Sequence, residues 1–206
     1  MDDLVISGDR ITVVGSPDIS LSWLEVVRQT GEETVTGQAD FTTAGGLDKT
    51  FSGIGSVHWH QGVGAAEVIA DEETGRVKVT SFHAATYAGQ VVHPALASLQ
   101  TEGNVIMGLG AALGEEIVFD DGQIVNANLG DYLIPSIQDI PVQLTTSEME
   151  DSDGDGELHG VAESTIPTVA PAIANAIADA TSVRLFDLPL TPEKIVSNLI
   201  KNRPKR

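Results

Sequence analysis

The chain has 206 residues and 41% hydrophobic side chains, enough for a buried core, but only 4% aromatic ones. Thirty acidic against eleven basic residues give a net charge of −19, which argues against binding to nucleic acid or to an anionic membrane surface. Because the chain has no cysteine, it cannot form disulfides, thiolate zinc sites or iron–sulfur clusters with its own ligands.

The acidic residues are spread along the chain, which favours a halophilic source, where high salt screens self-repulsion; an acidic protein of a mesophile is the alternative. The opening MDDLVISGDR lacks the basic and apolar regions of a signal peptide, and no apolar run reaches membrane-spanning length. The sequence therefore predicts a soluble protein of the cytoplasm.

The first elements expected are a hairpin and a short helix. Residues 4–6 and 11–14 are apolar runs that flank Ser-Gly-Asp-Arg, a pattern typical of two strands joined by a turn. Ser20 is expected to cap a helix whose apolar stripe begins at Leu21.

Two long strands are expected over 57–70 and 76–87, joined by a tight turn over 71–75 that ends in glycine. Since a short turn joins them, they are expected to pair in antiparallel fashion. With the helices that follow, this predicts a mixed α+β fold, an antiparallel sheet with packed helices, in a single domain over 1–206.

Three helices are expected in the second half. From Pro94 to Leu113 apolar residues recur at three- and four-residue spacings, and Asp121-Gly122 is expected to close the segment. Pro171–Ala180 is rich in alanine, and Thr191–Ile200 begins with a capping threonine followed by proline.

The acidic stretch DSDGDGELHGVAE begins like a calcium-binding loop. Asp151, Asp153, Asp155 and Gly156 match the first ligands and the glycine of an EF-hand loop, but position twelve is Ala162 where a bidentate glutamate is needed. A solvated acidic turn is therefore favoured over a calcium site for the first half of this stretch.

His58 and His60 alternate along a predicted strand and would point to the same face. Two histidines on one face are a possible pair of metal ligands, but no third ligand follows at a recognisable spacing. A polar strand face is the favoured interpretation, and the sequence predicts no metal ligands from the chain itself.

Six segments carry a further pattern: AAEVIADEETGRVKV (65–79), VVHPALASLQTEGNVIMGLGAALGEE (91–116), NANLGDYLIPSIQDIP (126–141), HGVAES (159–164), PAIANAIADAT (171–181) and LPLTPEKI (188–195). In this order they resemble the C-terminal part of the molybdopterin-binding subunit of molybdenum hydroxylases, the family of xanthine dehydrogenase, aldehyde oxidoreductase and carbon monoxide dehydrogenase. Residues 51–206 carry the resemblance, and residues 1–50 contribute less to it.

The resemblance implies a molybdenum-dependent oxidoreductase with a molybdenum–molybdopterin cofactor, a dinucleotide form being one alternative. Nothing in the chain matches the first half of the family's subunit. The cofactor would therefore be shared with another chain that carries this N-terminal half. Iron–sulfur and FAD subunits are the other expected partners, together with a small-molecule substrate that the sequence does not identify.

The resemblance also assigns residues. Glu163 takes the place of the family's catalytic glutamate, since a carboxylate can accept the proton of an oxygen nucleophile that attacks the substrate. Gln100 matches the glutamine whose amide, both donor and acceptor, contacts the pterin. The remaining expected cofactor contacts are Gly103, His159, Gly160, Val161 and Ala162.

The chain departs from the family pattern at several positions. It has His-Gly-Val-Ala-Glu where Lys-Gly-Val-Gly-Glu is usual, so His159 replaces a lysine and Ala162 a glycine. His93 stands where an asparagine usually precedes proline, and Tyr87 where an aspartate is common. A structural subunit or remnant of the family without catalysis, and a calcium-binding acidic module, therefore remain alternative functions.

Overall fold

The structure, a computed structural model, describes residues 3–31, 34, 36–40, 60–151 and 158–202. By internal contacts the chain divides into two compact units, residues 1–45 and 46–206. Each unit is described by itself, and the single domain expected over 1–206 stays a prediction.

The first unit is a three-stranded antiparallel meander followed by a helix. Strands β1 (Leu4–Ser7), β2 (Arg10–Val13) and β3 (Ser16–Ser22) lie in chain order in one sheet, and α1 covers Trp23–Thr30. The hairpin predicted at residues 4–14 is confirmed, whereas β3 was not predicted.

The cap of α1 is Ser22, so the prediction of Ser20 was wrong. Ser22 Oγ accepts a hydrogen bond from the Glu25 N–H at 3.2 Å, and Glu25 Oε2 accepts one from the Ser22 N–H at 2.7 Å. This capping box requires a glutamate three residues after the serine. Ser22 has Glu25 at that position, whereas Ser20 does not have a glutamate there. Ser20 lies in β3 instead, where the Arg10 guanidinium donates to its Oγ at 2.7 Å.

The second unit is built on the predicted hairpin of two long strands, β4 (Gly62–Ala70) and β5 (Val77–Gly89). They pair antiparallel, with Ala65 opposite His83. The turn between them is closed by Asp71, whose Oδ1 accepts from the Glu73 N–H at 2.9 Å. The strand expected over 57–70 thus begins at Gly62 in the described residues, while His58 lies outside them.

Helix α2 spans Pro94–Leu113 and is capped by His93, whose ring Nδ1 accepts from the Leu96 N–H at 3.2 Å. Pro94 fits the first turn because its missing N–H would have no partner there. An asparagine at position 93 would cap through its side-chain oxygen, so the histidine keeps the acceptor that the family pattern supplies. This departure therefore preserves the start of the helix.

A small hairpin and a third sheet strand follow. Strands β6 (Phe119–Asp120) and β7 (Gln123–Ile124) are joined by Asp121-Gly122, at φ 46° and 80°, so this pair forms a turn and does not close the helix as predicted. Strand β8 (Gln143–Glu150) then runs parallel to β5. The mixed α+β class is confirmed, with one parallel pairing in a sheet of order β4-β5-β8.

Two helices complete the unit: α3 (Ile166–Thr181) and α4 (Pro192–Asn202). Helix α3 begins before the predicted Pro171, because Pro167 occupies its first turn, where proline is well tolerated. Among the described residues, none of the helices combines the length and apolar character needed to cross a bilayer.

The core lies between one face of the sheet and helices α2 and α3. Its buried residues are Val79, Phe82, Ala84, Val105, Leu109, Ala112, Val169, Ile173, Ile177, Val183, Leu190, Ile195 and Leu199. The two helices pack tightly at Gly108, where an added Cβ would lie 2.5 Å from Val169 Cβ. This close contact fixes α2 relative to α3, and with them residues 158–164, which contact α2 and lead into α3.

Candidate functional site

The segment that leads into α3, residues 158–164, separates two cavities. The first, of about 450 Å³, lies against the start of α2 and is lined by Gln100, His159 and Val161, among others. The second, of about 620 Å³, is lined by His60, Gly160 and Glu163, among others. Ala162 lines both cavities. The segment is thus a thin wall with open space on either side.

Two amide side chains of α2 hold this wall by its backbone. Gln100 Nε2 donates to the carbonyl oxygen of Ala162 at 2.9 Å, and Asn104 Nδ2 donates to that of Val161 at 3.2 Å. The amides are four residues apart and therefore share one face of the helix. Two successive carbonyls are tied to α2, immediately before Glu163.

Asn104 was not among the predicted site residues. The signal that was available is its spacing from Gln100, since two amides at i and i+4 on one helix can reach the same extended segment. Asn104 is 1% exposed, and its Oδ1 has no hydrogen-bond partner among the described residues. A buried acceptor without a partner is costly, so the described residues leave one hydrogen bond of this amide unmade.

The other side of Glu163 is fixed by Ser164. The buried Thr86 Oγ1 donates to Ser164 Oγ at 2.7 Å. The backbone also packs against β4, because a Cβ added at Gly62 would lie 2.7 Å from the Ser164 carbonyl oxygen. Glu163 itself is exposed, and its carboxylate has no hydrogen-bond or ion-pair partner among the described residues. The backbone of Glu163 is therefore held on both sides, and its carboxylate is open to the second cavity.

His159 is held at the beginning of the wall. Its N–H donates to the Ala88 carbonyl at 3.1 Å, and its ring centroid lies 5.0 Å from that of Tyr87. The Tyr87 hydroxyl donates to Asp151 Oδ1 at 2.7 Å. The two departures at positions 87 and 159 are thus in contact with each other. In the calcium interpretation, Asp151 is the single ligand that can be located, since Asp153, Asp155 and Gly156 lie outside the described residues.

The backbone of the wall does not require glycine at position 162. Among the non-glycine residues that the structure describes, Asp121 and Ser182 have positive φ and Ala162 does not. A Cβ at Gly160 would meet His60 Cε1 at 3.7 Å, an ordinary contact. The alanine at position 162 therefore introduces no backbone strain.

Helix α2 also has open space beside Gly103, which lies three residues after Gln100. A Cβ built at Gly103 would meet no atom within 4 Å. Gln100 Oε1 also has no hydrogen-bond partner among the described residues. The one hydrogen bond of this amide there is donated by Nε2. In the part of the chain that the structure describes, no group of three or more His, Asp or Glu side chains could hold a metal ion.

Comparison with known proteins identifies a family. A model of the molybdopterin cofactor-binding domain matches residues 1–141. The gamma subunit of the 6-hydroxypseudooxynicotine dehydrogenase complex of Paenarthrobacter nicotinovorans is 30% identical over 95% of this chain and 25% of its own length. The molybdenum-binding subunit of aldehyde oxidoreductase of Escherichia coli is 36% identical over 65% of this chain and 19% of its own length.

Solved structures agree with this assignment. The quinoline 2-oxidoreductase of Pseudomonas putida has a TM-score of 0.74 and 26% identity, covering 98% of this chain and 26% of its own. The carbon monoxide dehydrogenase of Oligotropha carboxidovorans has a TM-score of 0.73 over 97% of this chain and 25% of its own; at 19% identity it shows the fold alone.

The chain spans about a quarter or less of the relatives that it matches. The match to the cofactor-binding domain model covers the β4–β5 hairpin and helix α2, including Gln100, Gly103 and Asn104. The alignment with the gamma subunit also covers most of the remaining chain. The chain therefore belongs to the molybdopterin cofactor-binding domain family, which includes the molybdenum-binding subunit of aldehyde oxidoreductase.

Proposed function

We propose that this chain forms one wall of a molybdenum–pterin site in an oxidoreductase of the xanthine dehydrogenase and aldehyde oxidoreductase type. The observation that carries the proposal is the pair of amides that ties the carbonyls of Val161 and Ala162 to α2, directly before an open carboxylate. Since the chain spans about a quarter of its relatives, another polypeptide segment supplies the other wall.

The residues present fit a pterin-bound metal. Gln100 Oε1 is an acceptor without a partner in the described chain, and Gln100 lines the first cavity, so it is suited to an N–H group of a heterocycle. Gly103 leaves room for a flat group against α2, one turn from Gln100. Of the other proposed contacts, His159, Val161 and Ala162 line the same cavity as Gln100, whereas Gly160 lines the second cavity together with Glu163. The metal would take its ligands from the pterin dithiolene, and the chain itself would supply none.

Glu163 is the proposed general base. The bound cofactor supplies two-electron oxidation of a substrate carbon. Glu163 would accept the proton from the oxygen nucleophile as it attacks that carbon. The backbone held at Ala162 and Ser164 supports the carboxylate, which lines the second cavity.

The proposed substrate class is inferred from the names of the relatives. They are named for oxidation of aldehydes, nicotinate and quinoline, small molecules with an electron-poor carbon. We propose the same class for the assembly that contains this chain, with electrons passing to iron–sulfur and FAD subunits in the cytoplasm. The acidic composition suits a salt-rich cytoplasm.

The test is turnover of aldehydes and N-heteroaromatic compounds by the purified assembly in ¹⁸O-labelled water. We expect one labelled oxygen in the product of an N-heteroaromatic substrate, because the nucleophile derives from water. An aldehyde exchanges its carbonyl oxygen with water through its hydrate, so its product reports turnover alone. A molybdenum-loaded assembly that contains this chain and oxidises neither class of substrate would contradict the proposal.

Gly103→Ala tests where the cofactor lies. Without cofactor the change should stabilise α2 by about 0.5–1 kcal/mol, since alanine favours helix and a Cβ meets nothing. If the pterin lies against this position, the same change should lower the molybdenum content of the assembly. Unfolding of cofactor-free protein and metal analysis of the assembly measure the two effects, and unchanged molybdenum content would remove Gly103 from the site.

A further inference from the structure

Residues 126–142, here called the 126–142 segment, form an irregular stretch whose conformation is fixed by its own hydrogen bonds. Asn126 Oδ1 accepts from the Val118 N–H at 2.9 Å, and its Nδ2 donates to the Glu116 carbonyl at 2.6 Å. Asn128 Oδ1 accepts from the Gly130 N–H at 2.9 Å. These hydrogen bonds hold the first half of the segment in place, although it forms neither helix nor strand.

The second half is held in the same way. The Tyr132 hydroxyl donates to Glu115 Oε2 at 2.8 Å, which raises the pKa of the tyrosine and ties the segment to the end of α2. The N–H and the hydroxyl of Ser136 both donate to Asp139 Oδ2 at 2.7 Å. The segment therefore has a defined shape before any partner binds.

This shape presents apolar side chains to the outside. Ile137 is 85% exposed and Val142 is 81% exposed, and Leu129, Leu133 and Ile134 are exposed as well. Leu133 and Ile134 also line a cavity of about 400 Å³ whose opposite side is the C-terminal end of α2. A rigid stretch with an apolar surface and an adjoining cavity is typical of an interaction site and unfavourable in water.

The charges argue against a second copy of this chain as the occupant. The segment itself contains Asp131 and Asp139 and neither lysine nor arginine, and Arg76 and Lys78 line one cavity with Asp139. A contact between two copies of the segment would bring like charges together, and each copy carries a net charge of −19. A partner with basic side chains around an apolar centre would complement the segment.

The relatives indicate where such a partner is found. They are about four times as long as the part that this chain matches, so the greater part of their subunit lies outside it. We propose that the 126–142 segment is the docking surface for the remainder of the molybdopterin-binding subunit, which covers it with an apolar patch rimmed by basic residues. The proposal rests on the proposed function, because it identifies the partner that completes the same site.

Because this chain has no cysteine, a maleimide label found on it after the subunits are separated reports the introduced thiol. Ile137→Cys is introduced into the assembled enzyme, with Glu72→Cys, in the exposed turn between β4 and β5, as the matched control. We expect maleimide to label position 137 at least about tenfold more slowly than position 72, since a covered thiol reacts only when the interface opens. Equal labelling rates would overturn the docking surface.

Carbodiimide cross-linking of the unmodified assembly identifies the occupant. We expect Asp131 and Asp139 to be joined to lysines of the remainder of the subunit. Cross-links to Lys194 or Lys201 would instead show that this chain, in the same or a second copy, covers the segment, and would overturn the proposal. An Asp139–Lys78 cross-link is set aside, because both residues line one cavity of the chain.

Molybdenum content measured on the same preparations separates the two hypotheses. Rapid labelling of position 137 in a molybdenum-loaded enzyme overturns the docking surface and leaves the proposed function intact. Slow labelling in an assembly that has no molybdenum supports the docking surface and overturns the proposed function.

Discussion

Replacing Glu163 with glutamine should lower turnover about 10²–10⁴-fold, the contribution typical of a general base. Glutamine has nearly the same shape but cannot accept the proton. Because the backbone on either side is held by Gln100, Asn104 and Thr86, the change should leave assembly and molybdenum content as they are. Steady-state kinetics normalised to molybdenum measure the effect, and the loss should appear in kcat more than in KM.

Glu67→Gln is the matched control, since Glu67 is an exposed carboxylate on β4. It should retain full turnover. If Glu163→Gln also turned over at the normal rate, Glu163 would not be the base, and a structural subunit without catalysis of its own would become the better interpretation.

Gly108→Ala should destabilise the protein by about 1–3 kcal/mol, the usual cost of forcing a methyl group into a filled core. The added Cβ would lie 2.5 Å from Val169 Cβ and would push α2 away from α3. The wall that carries Glu163 is tied to α2 and continues into α3, so turnover should fall together with stability. Urea unfolding and kinetics on the same preparations measure both effects.

Gly103→Ala in cofactor-free protein is the control for this change, because it adds the same methyl group to the same helix in open space. A Gly108→Ala protein as stable as the Gly103→Ala protein would show that the two helices are not packed as described.

Much of the fold could be predicted because its signals are local. The β4–β5 hairpin follows from two long strands around a glycine-ended turn, and α2 follows from regular apolar spacing. The start of α2 after residue 93 was predicted as well, whereas the cap at His93 was not.

The elements that were missed depend on contacts distant in sequence. Strand β8 has a polar sequence because it is a sheet edge with one open face, and its parallel pairing with β5 spans more than fifty residues. Ser22 was overlooked in favour of Ser20 because apolar spacing alone does not reveal a capping box.

The candidate site was predicted from resemblance, whereas its geometry required the structure. Gln100 and Ala162 are 62 residues apart in sequence, and no periodicity brings them together. Asn104 was missed because its four-residue spacing from Gln100 indicates a shared helix face but not the distant segment that both amides contact. The roles of Glu163 and of the cofactor contacts stay predictions that the experiments above test.

The most direct measurement is molybdenum and pterin content of the assembly isolated gently through this chain, with every co-purifying protein identified. We predict stoichiometric molybdenum and pterin together with the remainder of the molybdopterin-binding subunit. A chain isolated alone, with calcium and without molybdenum, would contradict the molybdenum site and would favour a calcium-binding role for the acidic stretch that begins at Asp151.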